Sequence, residues 1–121
     1  MTELRHTEFG ARGEAIACDA LLSKGYSILE RNYRWKHLEI DIIALKCEEL
    51  VFVEVKTRGT AFFGEPYNAV TRTKQKQLIK AANAYIHDKN LDYCSRFDVF
   101  SIILNQHERK IEHIEYAFTP G

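Results

Sequence analysis

Glu39-Ile-Asp-Ile-Ile-Ala-Leu45 and Leu50-Val-Phe-Val-Glu-Val-Lys56 are the stretch on which the fold turns. Their β-branched content makes each a strand. Only the short polar connection from Lys46 to Glu49 separates them, which suits an antiparallel hairpin. Side chains alternate across a strand, so Leu50, Phe52, Glu54 and Lys56 share one face and Val51, Val53 and Val55 the other. Both faces begin apolar, which marks a central strand covered on two sides. Glu54 and Lys56 near the end of such a strand cost on the order of several kcal/mol in desolvation unless a partner or a metal compensates. The preceding strand repeats the pattern, with Glu39 and Asp41 pointing one way and Ile40, Ile42 and Ala44 the other. Hairpin pairing brings Asp41 and Glu54 close together.

Upstream, Ala11, Ala15, Cys18, Leu21 and Leu22 recur at helical spacing and predict a helix from about Thr7, its N-cap, to Lys24, with Gly25 as the stop. Tyr26 to Arg34 reads as a strand leading into a basic turn around Trp35, Lys36 and His37. Downstream, a loop from Thr57 to Ala69 holds Gly59, Phe62, Phe63, Gly64 and Pro66. A second helix runs from about Val70 to Asp88, with Leu78, Ala81, Ala82, Tyr85 and Ile86 as its buried stripe. Strands at Phe97 to Leu104 and Ile111 to Phe118 close the chain. The order α-β-β-β-α-β-β predicts an α/β domain, a mixed central sheet flanked by helices.

The chain has 121 residues, 45% hydrophobic and 28% charged, the size and balance of one globular domain over residues 1–121. Seventeen basic residues offset seventeen acidic ones, which excludes a uniformly basic nucleic-acid coat and a polybasic membrane-surface protein. Charges at Glu3, Arg5, Glu8, Arg12, Glu14 and Asp19 interrupt any apolar leader, and no run is long enough to span a bilayer. Cys18, Cys47 and Cys94 are far apart and form no CxxC pair, so the expected setting is reducing and cytoplasmic. The five histidines are scattered and read as surface or satisfied core residues, not metal ligands.

The chemistry gathers on the hairpin. Two carboxylates a few ångströms apart repel, and a hard divalent cation such as Mg²⁺ relieves that repulsion through oxygen ligands. Such an ion acidifies a bound water and stabilises charge on a phosphoryl oxygen. Lys56, on the same face as Glu54, can orient that water or neutralise the transition state. Asp-x(12)-Glu-x-Lys across a hairpin is therefore a phosphodiester hydrolysis site in outline, with Asp41 and Glu54 as metal ligands. The competing reading is an exposed edge carrying cross-strand ion pairs worth about 1 kcal/mol or less, to which the three valines are a poor match. Glu14 lies on the apolar stripe of the first helix, where it either approaches the two carboxylates or simply favours the helix dipole.

Basic residues cluster despite the zero total. Lys56, Arg58, Arg72, Lys74, Lys76 and Lys80 stand against the single acid Glu65 between Val55 and His87, as a phosphate-binding segment requires. Arg31, Arg34, Lys36 and His37 form a second cluster, interleaved with Tyr33 and Trp35, which can stack on bases.

Gly10-Ala-Arg-Gly-Glu14-x-x-Ala17, Gly25-Tyr-Ser-Ile-Leu-Glu-Arg-Asn32, Glu39-Ile-Asp-Ile-Ile-Ala44, Val51-Phe-Val-Glu-Val-Lys-Thr-Arg58, Phe63-Gly-Glu-Pro66 and Arg96-Phe-Asp98 occur in that order. In these motifs the sequence resembles the YraN family of small bacterial proteins. That family resembles the archaeal Holliday-junction resolvases of the PD-(D/E)xK, or restriction-endonuclease-like, nucleases. The resemblance implies a three-layer restriction-endonuclease-like core and a Mg²⁺-dependent endonuclease, with Mn²⁺ as a substitute, acting on DNA that is branched or damaged. It also implies that Glu14 is the helix-borne acid, Asp41 and Glu54 the metal ligands and Lys56 the catalytic lysine. Glu39 and Arg58 stand in matching positions without an assigned role. Resolvases of this type are homodimers, and the expectation extends to this chain. Leu38 departs from the glycine common before the Glu-Ile-Asp run, and Ile40 stands where the superfamily's proline would be. The rival expectation is a non-catalytic nucleic-acid-binding or assembly module that keeps the fold and uses the same four residues as a buried ion network. A third is a protein-interaction module using Phe62 and Phe63.

Overall fold

The computed structural model describes residues 2–59 and 70–119, with side chains from residue 8 onward. Its elements are α1 (Thr2–Ser23), β1 (Ser27–Trp35), β2 (Leu38–Lys46), β3 (Glu49–Arg58), α2 (Arg72–Lys89), β4 (Cys94–Leu104) and β5 (Arg109–Phe118). The order is the expected one, and the strands form a five-stranded sheet in the order β1-β2-β3-β4-β5. β3 and β4 run parallel, because α2 carries the chain back between them, and the other neighbouring pairs are antiparallel.

The alternation along β3 builds the layers. Val51 and Val53 join Ile42, Ala44, Phe100 and Ile102 beneath Ala17, Cys18 and Leu21 of α1. Leu50 and Phe52 join Ile43, Phe97 and Val99 beneath Leu78, Ala81, Ala82 and Tyr85 of α2. Helix, mixed sheet and helix thus make the three layers expected of a restriction-endonuclease-like core. Among the described residues no helix is long and apolar enough to cross a membrane.

The hairpin connection is tighter than expected. Cys47 and Glu48 have φ of 50° and 62°, as the two central residues of a type I′ turn require, and each flanking strand is correspondingly longer. Thr71 caps α2 by accepting the Lys74 N–H on Oγ1 at 3.2 Å. The α2 stripe is as expected, with Ile86 half-buried at its margin.

α1 differs in two respects. It begins at Thr2, so Thr7 lies inside the helix and does not cap it. Its buried face is Gly13, Ala17, Cys18 and Leu21, with Cys18 and Leu21 as expected, while Ala11 and Ala15 are exposed and Leu22 is 55% exposed. The cause is close approach: a Cβ on Gly13 would lie 1.8 Å from Thr57 Oγ1. Of its two glycines the helix therefore turns Gly13 onto β3, while Gly10 has open space around it. The expected loop is shorter, because Thr57 and Arg58 belong to β3, and residues 60–69, with Phe62, Phe63 and Glu65, lie outside the described residues.

Candidate active site

β2 and β3 pair from Lys46 opposite Glu49 to Ile42 opposite Val53, and there the register stops. The next residue on each strand is Asp41 and Glu54. Past that point the Val55 N–H donates not to main chain but to Asp41 Oδ2, at 2.8 Å. A side chain thus closes the end of the ladder, which fixes Asp41 beside Glu54. Asp41 holds its proton up to about 7, first because it is buried and then because Glu54 is close; the Val55 N–H opposes this. Glu54 is buried on the α2 side of the sheet, where Lys56 Nζ and Lys74 Nζ each lie 3.7 Å from its Oε2.

On the other side of β2 the neighbouring strand turns over. Asn32 has φ of 53° within β1, so Arg31 pairs with Ile42 of the α1-side core while Tyr33 pairs with Ile40 of the α2-side core. Asparagine tolerates this left-handed region better than most residues. The turn brings Asn32 Nδ2 within 2.8 Å of Glu14 Oε1, to which it donates. Burial raises the Glu14 carboxyl above its ordinary value, and the Asn32 hydrogen bond opposes that rise. Arg31 stands 4.0 Å from Glu14, and Arg34 pairs with Glu39 at 3.1 Å.

Carboxylate oxygens of Glu14, Glu39 and Asp41 all lie within 4.8 Å of one another. An all-oxygen set of this kind fits a hard cation such as Mg²⁺. Glu14 joins Asp41, as its place on α1 allows, and Glu39 joins both. Glu54 meets Asp41 but is not one of the three.

The residues expected to bind nucleic acid divide into groups. Arg31 and Arg34 line a groove of about 500 Å³ together with Glu14, Asn32 and Glu39. Lys74 enters the carboxylate cluster itself. Lys36 Nζ lies 4.6 Å over the Trp35 ring at the β1–β2 turn. Arg72 and Lys76 line a separate groove of about 460 Å³ beside Ala117 and Phe118. Arg58, half-buried at the end of β3, is itself engaged in interactions. Sequence reasoning missed Asn32 and the entry of Lys74, and it left Glu39 without a role. The one available signal was the asparagine itself, whose left-handed φ within a strand cannot be read from periodicity.

A second acidic group, Asp98, His113 and Glu115, has ligand atoms within 4.8 Å of one another, but its charges are already met. Arg96 reaches Asp98 at 3.0 Å, Glu115 at 3.3 Å and Glu49 at 2.9 Å. His113 Nδ1 lies 2.9 Å from the Lys24 ammonium and Nε2 lies 2.7 Å from Asp98. A lysine only donates, so the imidazole accepts at Nδ1 and donates to Asp98 from Nε2. This network ties the end of α1 to β4 and β5, where β3 begins, away from Lys56.

The α/β core in this order thus carries an acidic cluster and a lysine at the end of its central hairpin. The chain belongs to UPF0102, the YraN-like family, described as "Uncharacterised protein family UPF0102", whose model matches residues 13–102. That span contains every candidate site residue from Glu14 to Lys76. A UPF0102 protein of Christiangramia forsetii is 46% identical over 113 residues, covering 93% of this chain and 95% of the relative. One from Geobacter metallireducens is 45% identical over 116 residues, covering 95% of each. Among solved structures, SfsA from Pyrococcus furiosus in complex with Ca²⁺ aligns with a TM-score of 0.43 at 15% identity, covering 87% of this chain. The chain spans 63% of that structure's length.

Proposed function

We propose that the protein is a Mg²⁺-dependent endodeoxyribonuclease that hydrolyses phosphodiester bonds in branched or damaged DNA. The observation that carries this reading is the setting of Asp41: clasped by the Val55 N–H, close beside Glu54 and within 4.8 Å of Glu14 and Glu39. Burying a carboxyl among three others is costly without a cation. The resemblance of the motifs to those of archaeal Holliday-junction resolvases supports the same chemistry.

Glu14, Glu39, Asp41 and Glu54 offer oxygen ligands, with Asp41 central because it meets all the others. Mg²⁺, or Mn²⁺ in its place, supplies a Lewis acid for the phosphoryl oxygen and acidifies a water when bound. Lys56, 3.7 Å from Glu54, orients the attacking water and offsets negative charge developing on the phosphate. Lys74, at the same distance from the same oxygen, adds a second positive charge from the first turn of α2. Asn32 holds Glu14 in place, and Arg31 and Arg34 receive the phosphates that flank the cleaved bond.

Incubation with branched and linear DNA, with Mg²⁺ or Mn²⁺ against chelator, tests this. Cleavage is expected only with the divalent ion, and Lys56→Ala is expected to lower it by about 10²-fold or more, the usual effect of removing a group that stabilises transition-state charge. Glu54→Ala should abolish it. If no substrate is cut and neither substitution alters metal binding, the reading is overturned. One observation favours a non-catalytic DNA-binding module: Glu54 already has two ammonium partners. That alternative predicts DNA binding indifferent to chelator and no cleavage.

A further inference from the structure

A third groove, of about 780 Å³, opens between the end of β1 and the outer face of α2. Tyr33, Arg34 and Trp35 line it from β1, and Lys80, Asn83 and His87 line it from α2. Asp88 is the one carboxylate in the lining, and its charge acts on Tyr33. Tyr33 is braced edge-on against Tyr85, with ring centroids 5.0 Å apart at 79°. Over the Trp35 ring lies Lys36, an exposed and flexible cation that a flat ligand can displace. Aromatic rings beside lysine and arginine are the elements that bind an unpaired nucleic-acid strand, whose bases have free faces to stack. In a duplex those faces are covered by neighbouring bases, so a duplex has no free base to stack in the groove.

Arg34 lines both this groove and the one that holds Glu14 and Glu39. A strand whose phosphate lies at the carboxylates therefore passes Arg34 directly into the aromatic groove. We infer that this groove binds the unpaired strand of a branched DNA, with its bases stacked on Tyr33 and Trp35 and a backbone phosphate on Lys80. The inference rests on the nuclease reading for its occupant and adds the kind of branch: one that carries a single-stranded segment next to the cleaved bond.

Trp35 is the only tryptophan of the chain, so its fluorescence reports on the groove directly. The wild-type protein is titrated at low salt, in chelator, with an oligothymidylate and with a blunt duplex of equal length. The single strand is expected to quench Trp35 and to bind more tightly than the duplex. Trp35→Ala should weaken single-strand binding by about tenfold, within the range for one lost base stack. Lys80, on the exposed face of α2, can be changed without disturbing the core. Lys80→Ala should lower the slope of log K against log salt by about 0.7 for the single strand, one phosphate contact, and leave the duplex slope unchanged. Equal binding of the two DNAs with unchanged Trp35 emission, or a Lys80→Ala slope equal to wild type, overturns the inference. Mg²⁺-dependent cleavage that is lost in Lys56→Ala would then leave the nuclease reading standing. Failure of both DNAs to bind in chelator even at low salt would overturn the inference, and Mg²⁺-dependent cleavage would decide the nuclease reading separately.

Discussion

Asp41 is held in a state that only a cation or a proton satisfies. Its carboxyl titrates at about 7 in the fold against an ordinary 3.8, from burial first and Glu54 second. Below 3.8 the group is neutral folded and unfolded, and costs nothing. As pH rises from there to about 7 the unfolded chain ionises while the fold keeps its proton, so stability falls through that window. Above it the full penalty, on the order of a few kcal/mol, persists. Asp41→Asn keeps an acceptor for the Val55 N–H and removes the charge. Thermal melts in chelator should show the variant more stable than wild type at pH 8, with a flatter dependence between pH 4 and 7. Added Mg²⁺ should raise the wild-type melting temperature and leave the variant's unchanged, because binding the native state alone stabilises it by mass action. A variant no more stable than wild type at pH 8 would show that the repulsion is absent.

At the scale of elements, the contact that positions Glu14 is made by the residue before it. Gly13 lets α1 approach Thr57 so closely that an added Cβ would lie 1.8 Å from Oγ1, 3.0 Å from Thr57 Cβ and 3.1 Å from Cγ2. Gly13→Ala should cost about 1–3 kcal/mol, as overpacking does. It should also weaken Mg²⁺ binding by pushing Glu14 away from Asp41. Urea denaturation with a parallel metal titration measures both, and Thr57→Ala in the same chain should restore only part, since its Cβ remains. This packing also explains what the sequence hid. The hairpin, the element order and the α2 stripe were legible because period-two and helical patterns of apolar residues report burial. The α1 face was read correctly at Cys18 and Leu21 and misread at Ala11, Ala15 and Leu22, because Gly13 packs by lacking a side chain, to which hydrophobic periodicity is blind. Asp41 beside Glu54 followed from hairpin register alone. Glu39, Asn32 and Lys74 did not, because the first two depend on a strand turning over at φ of 53° and the third on where the crossover sets down α2.

Across the whole molecule, seventeen basic and seventeen acidic residues cancel, yet the cancellation is local and built around the carboxylates. Arg31 faces Glu14, Arg34 faces Glu39, and both Lys56 and Lys74 face Glu54. Four of the cations nearest the proposed scissile phosphate are thus engaged with the acids that a divalent ion would neutralise. DNA affinity should accordingly be low without the ion, since carboxylates repel phosphate and occupy the arginines and lysines that would bind it. Glu39→Gln isolates this effect, because it frees Arg34 from its 3.1 Å partner and leaves the groove otherwise intact. In chelator the variant should bind duplex DNA more tightly than wild type. Its log K should fall more steeply with log salt, by about 0.9, the increment for one added phosphate contact on duplex DNA. The same substitution removes an oxygen from the acidic trio, so Mg²⁺-dependent cleavage should decrease while binding improves. Filter binding across a salt series and a cleavage time course measure the two opposing changes. A variant that loses both binding and cleavage would show that Glu39 orders the groove and does not mask Arg34.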